Sequence, residues 1–230
     1  MVEEPTEPGT VLSFSGNYPV MVTENSSSAA SDFNLGTSPA SMQGGSWEAR
    51  FGGNWAFLLG LQHLAYKVSD AQTDNQTFHQ RDEYEALTGI GYRFMPFGTE
   101  EMIGVGYMAR YMANANQSAA GGTIGVPAEP VSVLTAPSQL YHGPAIFGRI
   151  DLPIWGGFGL EAKGGVAPYM LGALQSPAGL DGMMGYWVVP QAYLRFGFVQ
   201  LSGGYGLYNY SVSDYSYARS GPYARLDLRF

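Results

Sequence analysis

Three histidines, His63, His79 and His142, are the side chains of this sequence that could exchange protons near neutral pH. His79 stands beside Arg81, Asp82, Glu83 and Glu85. A neutral imidazole next to a carboxylate can act as a general base, so this cluster is the best candidate for hydrolytic chemistry at a barrel rim. The competing reading is a solvated loop histidine flanked by rim carboxylates. No Walker A loop, HExxH or GxSxG string occurs. Gly104-Val105-Gly106-Tyr107-Met108-Ala109 matches GxGxxA, but no helical pattern follows it, and it reads as glycines on a strand. Cysteine is absent, which excludes disulfides, thiolate metal sites and cysteine nucleophiles. Three scattered histidines make no metal site, and no cofactor is expected.

A second set of residues recurs. Arg50-Phe51, Arg93-Phe94, Arg149-Ile150, Arg195-Phe196 and Arg229-Phe230 each pair a guanidinium with an apolar neighbour. Consecutive residues of a strand point to opposite faces. Each pair therefore sends a cation to one face and an apolar group to the other, and each is expected to end a strand.

The elements that must carry these residues follow a period of two. Leu12, Phe14, Val20 and Val22 alternate with small polar residues. Trp47 and Phe51 alternate with Glu48 and Arg50. Leu64, Tyr66 and Val68 close the next strand, and comparable stripes run to Leu226, Leu228 and Phe230. The pattern predicts ten strands of roughly nine to fifteen residues, about the length a tilted strand needs to cross a bilayer. Short connectors are expected near 52–54, 95–101, 153–157 and 196–198. Longer polar ones are expected near 23–44, 69–80, 115–138, 172–182 and 211–216. Short turns on one side and long loops on the other mark a closed, antiparallel, up-and-down barrel. The expected organisation is all-β: one domain over 1–230, with 1–9 as a short N-terminal segment on the short-turn side. Ten strands are predicted, with eight or twelve as alternatives.

Alternation does not say which face meets water, and composition decides it. Charged residues are 13% of the chain, about half the usual share of a soluble domain. Gly is abundant, at 32 of 230 residues, and sits largely on the polar face. A soluble exterior carries far more charge, so the polar face is expected inside and the apolar stripe against lipid. No apolar run reaches the ~20 residues of a membrane helix; a closed barrel is the other permitted way across. A formal charge of −8 argues against nucleic-acid binding.

With these strands the chain resembles bacterial outer-membrane β-barrels of the up-and-down type. Phe230, following Leu226 and Leu228 at two-residue spacing, is similar to the C-terminal assembly signal of that class. Arg225 occupies a place where that signal often has glycine. The resemblance implies a bacterial outer-membrane location, contact with lipid and lipopolysaccharide, and insertion by the barrel-assembly machinery through the last strand.

In a barrel the five arginines converge near the short-turn mouth. Lys163 and Arg225 join them, with Glu48, Asp151, Glu161 and Asp227 as partners. Two readings stand: an ion-pair network that fills the lower lumen, or a basic constriction that favours anions. A ten-stranded lumen is only slightly wider than one filled by side chains. Inward Tyr141, Phe147, Tyr169, Trp187, Tyr193 and Tyr223 are expected to occupy it. The acidic residues of the long connectors, Glu24, Asp32, Asp70, Asp74, Glu129, Asp181 and Asp214, form either a solvated rim or a divalent-cation bridge to lipopolysaccharide phosphates. Val131, Val133 and Leu134 form an apolar stretch in the third loop, suited to a partner contact or to a lid over the mouth. The expected function is non-enzymatic: a structural, anchoring or surface-interaction component, within a larger envelope assembly or alone. The alternatives are a narrow, anion-preferring, porin-like pore and an outer-membrane hydrolase built on His79.

Overall fold

The computed structural model describes residues 9–26, 33–69, 78–96, 99–114, 138–173, 182–212 and 215–230. Ten strands follow one another: β1 (Thr10–Ser26), β2 (Phe33–Phe51), β3 (Trp55–Ser69), β4 (Phe78–Phe94), β5 (Glu100–Asn114), β6 (Ser138–Trp155), β7 (Phe158–Ala173), β8 (Met183–Phe196), β9 (Val199–Val212) and β10 (Tyr215–Arg229). Each pairs antiparallel with its neighbours, and β1 closes on β10 through pairs such as Leu12 with Leu228. Closure leaves no edge strand, so every ladder group finds its partner within the wall.

The short turns are glycine-built. Trp155 faces Phe158 across Gly156-Gly157, whose φ values are +54° and +85°. Two consecutive left-handed residues are what a two-residue hairpin of matching twist requires. Thr10 N donates to Phe230 O at 3.0 Å, which joins the first and last strands at this same end.

The strands are longer than the sequence pattern indicates. The ladder between β1 and β2 continues to Ser26 opposite Phe33, so much of the connector expected at 23–44 is strand. The connector expected at 211–216 is a hairpin in which Val212 pairs with Tyr215. The Arg149-Ile150 pair does not end its strand, because β6 runs on to Trp155. Backbone pairing needs no apolar alternation, and strand beyond the lipid band carries no such signal.

Two faces separate cleanly in the half near the short turns. Of the stripe Leu12, Phe14, Trp47, Phe51, Tyr92, Val105, Ile146, Leu160, Leu194, Leu201 and Leu228, the first ten are exposed and Leu228 is half-buried. Glu48, Arg93, Arg149, Asp151, Glu161, Arg225 and Asp227 are buried inside. An exterior of Leu, Ile, Val, Phe and Trp over a charged interior is the inverse of a soluble barrel and fits only lipid. Aromatic residues girdle the wall. Phe51, Trp55, Tyr92, Trp155, Phe196 and Phe230 are exposed near the short turns, and Tyr18, Tyr84, Tyr169 and Tyr186 further up, as amphipathic rings do at membrane interfaces.

The upper half departs from the sequence reading. Val20, Val22, Leu64 and Tyr66, assigned to the outward stripe, are buried inside. Tyr169, expected in the lumen, is 52% exposed, and Met170 beside it is fully buried. The ladders slip between Asn17 and Met21, between His142 and Ile146, and between Ala167 and Met170. Pro19 and Pro168 lie in the gaps of β1 and β7; the shift between His142 and Ile146 is that of β7 seen from β6, whose ladder to β5 runs unbroken through Pro144. Proline donates no ladder hydrogen bond, and a one-residue slip exchanges the faces beyond it. In β3 the cause differs: apolar side chains such as Val20, Val22 and Met42 also line the upper lumen, so hydrophobicity no longer marks the outside.

Candidate functional site: two charged layers in the lumen

The lower layer grows from the inward positions at the strand ends. Glu100, the first residue of β5, receives Arg50 Nη2 at 3.2 Å, Arg93 Nε at 3.2 Å and Arg149 Nη2 at 2.6 Å. Arg149 also donates through Nη1 to Glu48 Oε2 at 2.6 Å, and Arg50 Nε donates to Glu48 Oε1 at 3.1 Å. On the opposite wall, Arg225 pairs with Glu161 at 2.9 Å and with Asp227 at 2.6 Å. Lys163 lies 3.3 Å from Glu161. Arg195 Nη2 reaches Asp151 Oδ2 at 3.2 Å, and Tyr193 donates to Asp151 Oδ1 at 2.6 Å. Arg195 and Arg229 both donate to Gln200 Oε1, at 3.1 and 2.7 Å.

All seven cations and four carboxylates singled out in the sequence therefore line one region, and each of the four carboxylates pairs with a cation of that set. Asp151, Glu161 and Asp227 do not partner Arg149; its hydrogen bonds go across the lumen to Glu48 and Glu100. Glu100 was missed because it falls within the connector expected at 95–101. The available signal was its place: a carboxylate just past a hairpin whose other arm ends in Arg93.

A second layer lies above and was not foreseen as a unit. Glu83 accepts from Arg110 Nη2 at 2.9 Å, Tyr66 at 2.7 Å and Tyr217 at 2.9 Å. Glu85 accepts from Arg219 Nη2 at 2.9 Å and from Tyr210 at 2.5 Å. The Arg110 guanidinium sits 4.1 Å from the ring centres of both Tyr210 and Tyr217, and Arg219 lies 4.2 Å from that of Tyr208. Stacking on ring faces adds attraction in a dry site. Arg81, Arg110 and Arg219 are all essentially without solvent contact.

Met42, Met108, Met112, Met170 and Met183 pack with Tyr141 and Ala145 around this layer. The lumen is thus filled largely by methionine and tyrosine. Tyr141, Phe147 and Tyr193 are buried inside as expected, and Trp187 and Tyr223 are partly so. Between the layers a cavity of about 150 Å³ is bounded by Glu48, Glu85, Phe147, Lys163, Trp187 and Tyr208. It has room for on the order of five waters.

The His79 cluster does not assemble as drawn. His79 lies within β4, its backbone opposite Val68, and its side chain is outside the described residues. Glu83 and Glu85 point into the lumen and are engaged there. Asp82 points outward and meets His63 Nε2 at 3.0 Å, with Tyr84 stacked on the imidazole at 4.7 Å. A shallow outer-wall groove of about 520 Å³ runs past Leu61, His63, Tyr84 and Tyr111. His142 is hydrogen-bonded to Tyr107, also on the outer wall. The side chains of Glu24 and Lys67, together with Asp32, Asp70, Asp74, Glu129, Asp181 and Asp214, lie outside the described residues, as do Val131, Val133 and Leu134.

No family model matches the chain, and no curated protein matches it in sequence. Solved structures match along its length. The outer-membrane protease OmpT of Escherichia coli aligns over 100% of both chains at 9% identity with a TM-score of 0.51. Neisserial surface protein A aligns over 96% of this chain and 97% of its own at 12% identity, TM-score 0.40. The translocator domain of the autotransporter NalP of Neisseria meningitidis covers 96% and 89% at 9% identity, TM-score 0.49. At these identities the likeness is one of fold. The chain has the fold of bacterial outer-membrane β-barrels, and its apolar exterior sets it in a bilayer.

Proposed function

We propose that this chain is a non-conducting barrel of the bacterial outer membrane, an anchor that displays its long connectors and contributes no enzymatic chemistry. The observation that carries this reading is the filled lumen. Two ion-pair layers cross it, methionine and tyrosine pack the space around the upper one, and the cavity between the layers is about 150 Å³. A porin-type barrel needs a continuous polar path, and the essentially solvent-free Arg110, Met108 and Met170 stand in it. In support of the non-enzymatic reading, Glu83 and Glu85 beside His79 are engaged in the lumen and Asp82 is paired with His63 outside.

The test is reconstitution of the folded protein in planar bilayers. Wild type is expected to give no discrete conductance steps, while a variant emptied of Met108 and Met170 side chains by alanine substitution gives small ones. Open channels in the wild type would overturn the reading in favour of the narrow pore. Contact with lipopolysaccharide and insertion by the assembly machinery through β10 belong to the same proposal. Loss of insertion on deleting Phe230 would support the latter.

A further inference from the structure

In the lower layer Arg50, Arg93, Arg149, Arg195 and Arg225 each reach a carboxylate. Arg229 does not. Among the described residues its partner is the neutral amide oxygen of Gln200, at 2.7 Å, which Arg195 Nε also uses at 3.1 Å. Among the described residues the layer holds seven cations, Lys163 included, against five carboxylates, Glu48, Glu100, Asp151, Glu161 and Asp227. One of the two surplus positive charges lies among Arg50, Arg93 and Arg149, which share Glu48 and Glu100. The other lies at Arg195 and Arg229, which have Asp151 on Arg195 alone, and there a side-chain amide stands on Arg229 in the place a carboxylate takes elsewhere.

The position is also the accessible one. The Arg195 side chain is 34% exposed, against 7% or less for Arg50, Arg93 and Arg149. Arg195 N is bonded to Gly157 O, and Arg229 N to Phe198 O, both carbonyls of short turns. An anion can reach the pair from the short-turn mouth without entering the packed lumen. Converging guanidinium groups are the preferred protein partners of phosphate and carboxylate oxygens, because their N–H forks match that geometry. Two guanidinium groups that share a single carboxylate, Asp151 on Arg195, in a partly dry setting gain from an added anion.

We propose that Arg195, Gln200 and Arg229 form an oxyanion-binding site at the short-turn mouth, with Gln200 holding the two guanidinium groups together while leaving the charge of Arg229 unneutralised. The ligand is a phosphate-type oxyanion, either free in solution or carried on a lipid headgroup. The site requires no conduction through the barrel, so it stands whether or not the lumen passes ions.

The decisive variant is Gln200→Glu, which supplies the missing carboxylate, keeps the acceptor oxygen that Arg195 and Arg229 use, and exchanges only the Nε2 donor to Ser202 Oγ. Urea unfolding midpoints would be followed for the full chain in zwitterionic micelles, with inorganic phosphate against chloride at matched ionic strength. Wild type is expected to show a saturable rise with phosphate, since a ligand of the folded state stabilises it. In Gln200→Glu the midpoint starts higher and phosphate affinity falls at least tenfold; Arg229→Gln loses the phosphate response as well. A parallel series in vesicles with and without phosphatidylglycerol identifies the source. A response to the lipid alone, lost in Gln200→Glu, assigns the site to a headgroup. No saturable response to either in the wild type, or an unchanged response in Gln200→Glu, would overturn the proposal.

Discussion

Arg149 of β6 meets Glu48 of β2 across the lumen, Nη1 to Oε2, at 2.6 Å. The two residues belong to strands that are not neighbours in the wall. Their ion pair is therefore a strut between opposite sides of the barrel, and Glu100 reinforces it from β5.

Removing the strut takes from Glu48 and Glu100 their shortest ion pairs and leaves Glu48 to Arg50 and Glu100 to Arg50 and Arg93. Arg149→Ala is expected to lower stability by about 1–4 kcal/mol, toward the low end because the adjoining cavity has room for water. Urea unfolding in lipid bilayers measures it. A double change of Arg149 and Glu48 to Met and Gln should recover part of the loss, as residues in direct contact do not add independently.

Glu83 is the more sensitive position. It serves Arg110, Tyr66 and Tyr217 with almost no access to solvent. Glu83→Ala leaves a buried guanidinium and two hydroxyls without their acceptor and should cost about 3–5 kcal/mol, more than Arg149→Ala. Glu83→Gln keeps an acceptor oxygen and should cost less. Equal losses for the Ala variants at both positions would show that the upper layer is as wet as the lower.

The glycines of the GxGxxA string have a packing role open to test. A Cβ at Gly104 would lie 2.4 Å from Phe147 Cζ and 2.8 Å from the Ile90 carbonyl oxygen. Gly104→Ala should destabilise by about 1–3 kcal/mol through overpacking, and the loss should shrink in a Phe147→Ala background. A purely additive double-mutant cycle would mean that the ring does not rest on Gly104.

The membrane face can be read directly. Spin labels at Phe14, Val105 and Leu201, exposed residues of the outer wall, should be accessible to a lipid-soluble relaxant. A label at Met108 or Tyr208 should be shielded from it. Shielding of the first group would place the apolar stripe in a protein interior and invalidate the membrane assignment.

What the sequence determined is the part of the molecule governed by local rules. A period of two with charge on one face and Leu, Ile, Phe and Trp on the other specifies strands. Low charge with abundant glycine places the charged face inside. The repeated Arg-Phe pairs put a cation inward and an apolar group outward on five strands: Phe51, Phe94, Ile150, Phe196 and Phe230 are all exposed. Side-chain direction in a strand follows from residue parity, so a sequence suffices for it.

Only the tertiary structure decided which charges meet. Glu48 and Arg149 are 101 residues apart, and Glu83 and Tyr217 are 134 apart. Strand stagger and side-chain reach across a closed lumen set such pairs, and neither is written in the local pattern. Parity itself failed where a proline displaced the ladder, which turned Val20, Val22 and Met170 inward and Tyr169 out. It also lost its meaning in the upper lumen, where Leu64, Tyr66 and Met108 are as apolar as the wall outside. A hydrophobic pattern distinguishes faces only when their surroundings differ in polarity, and closure of the barrel made the upper interior as dry as lipid.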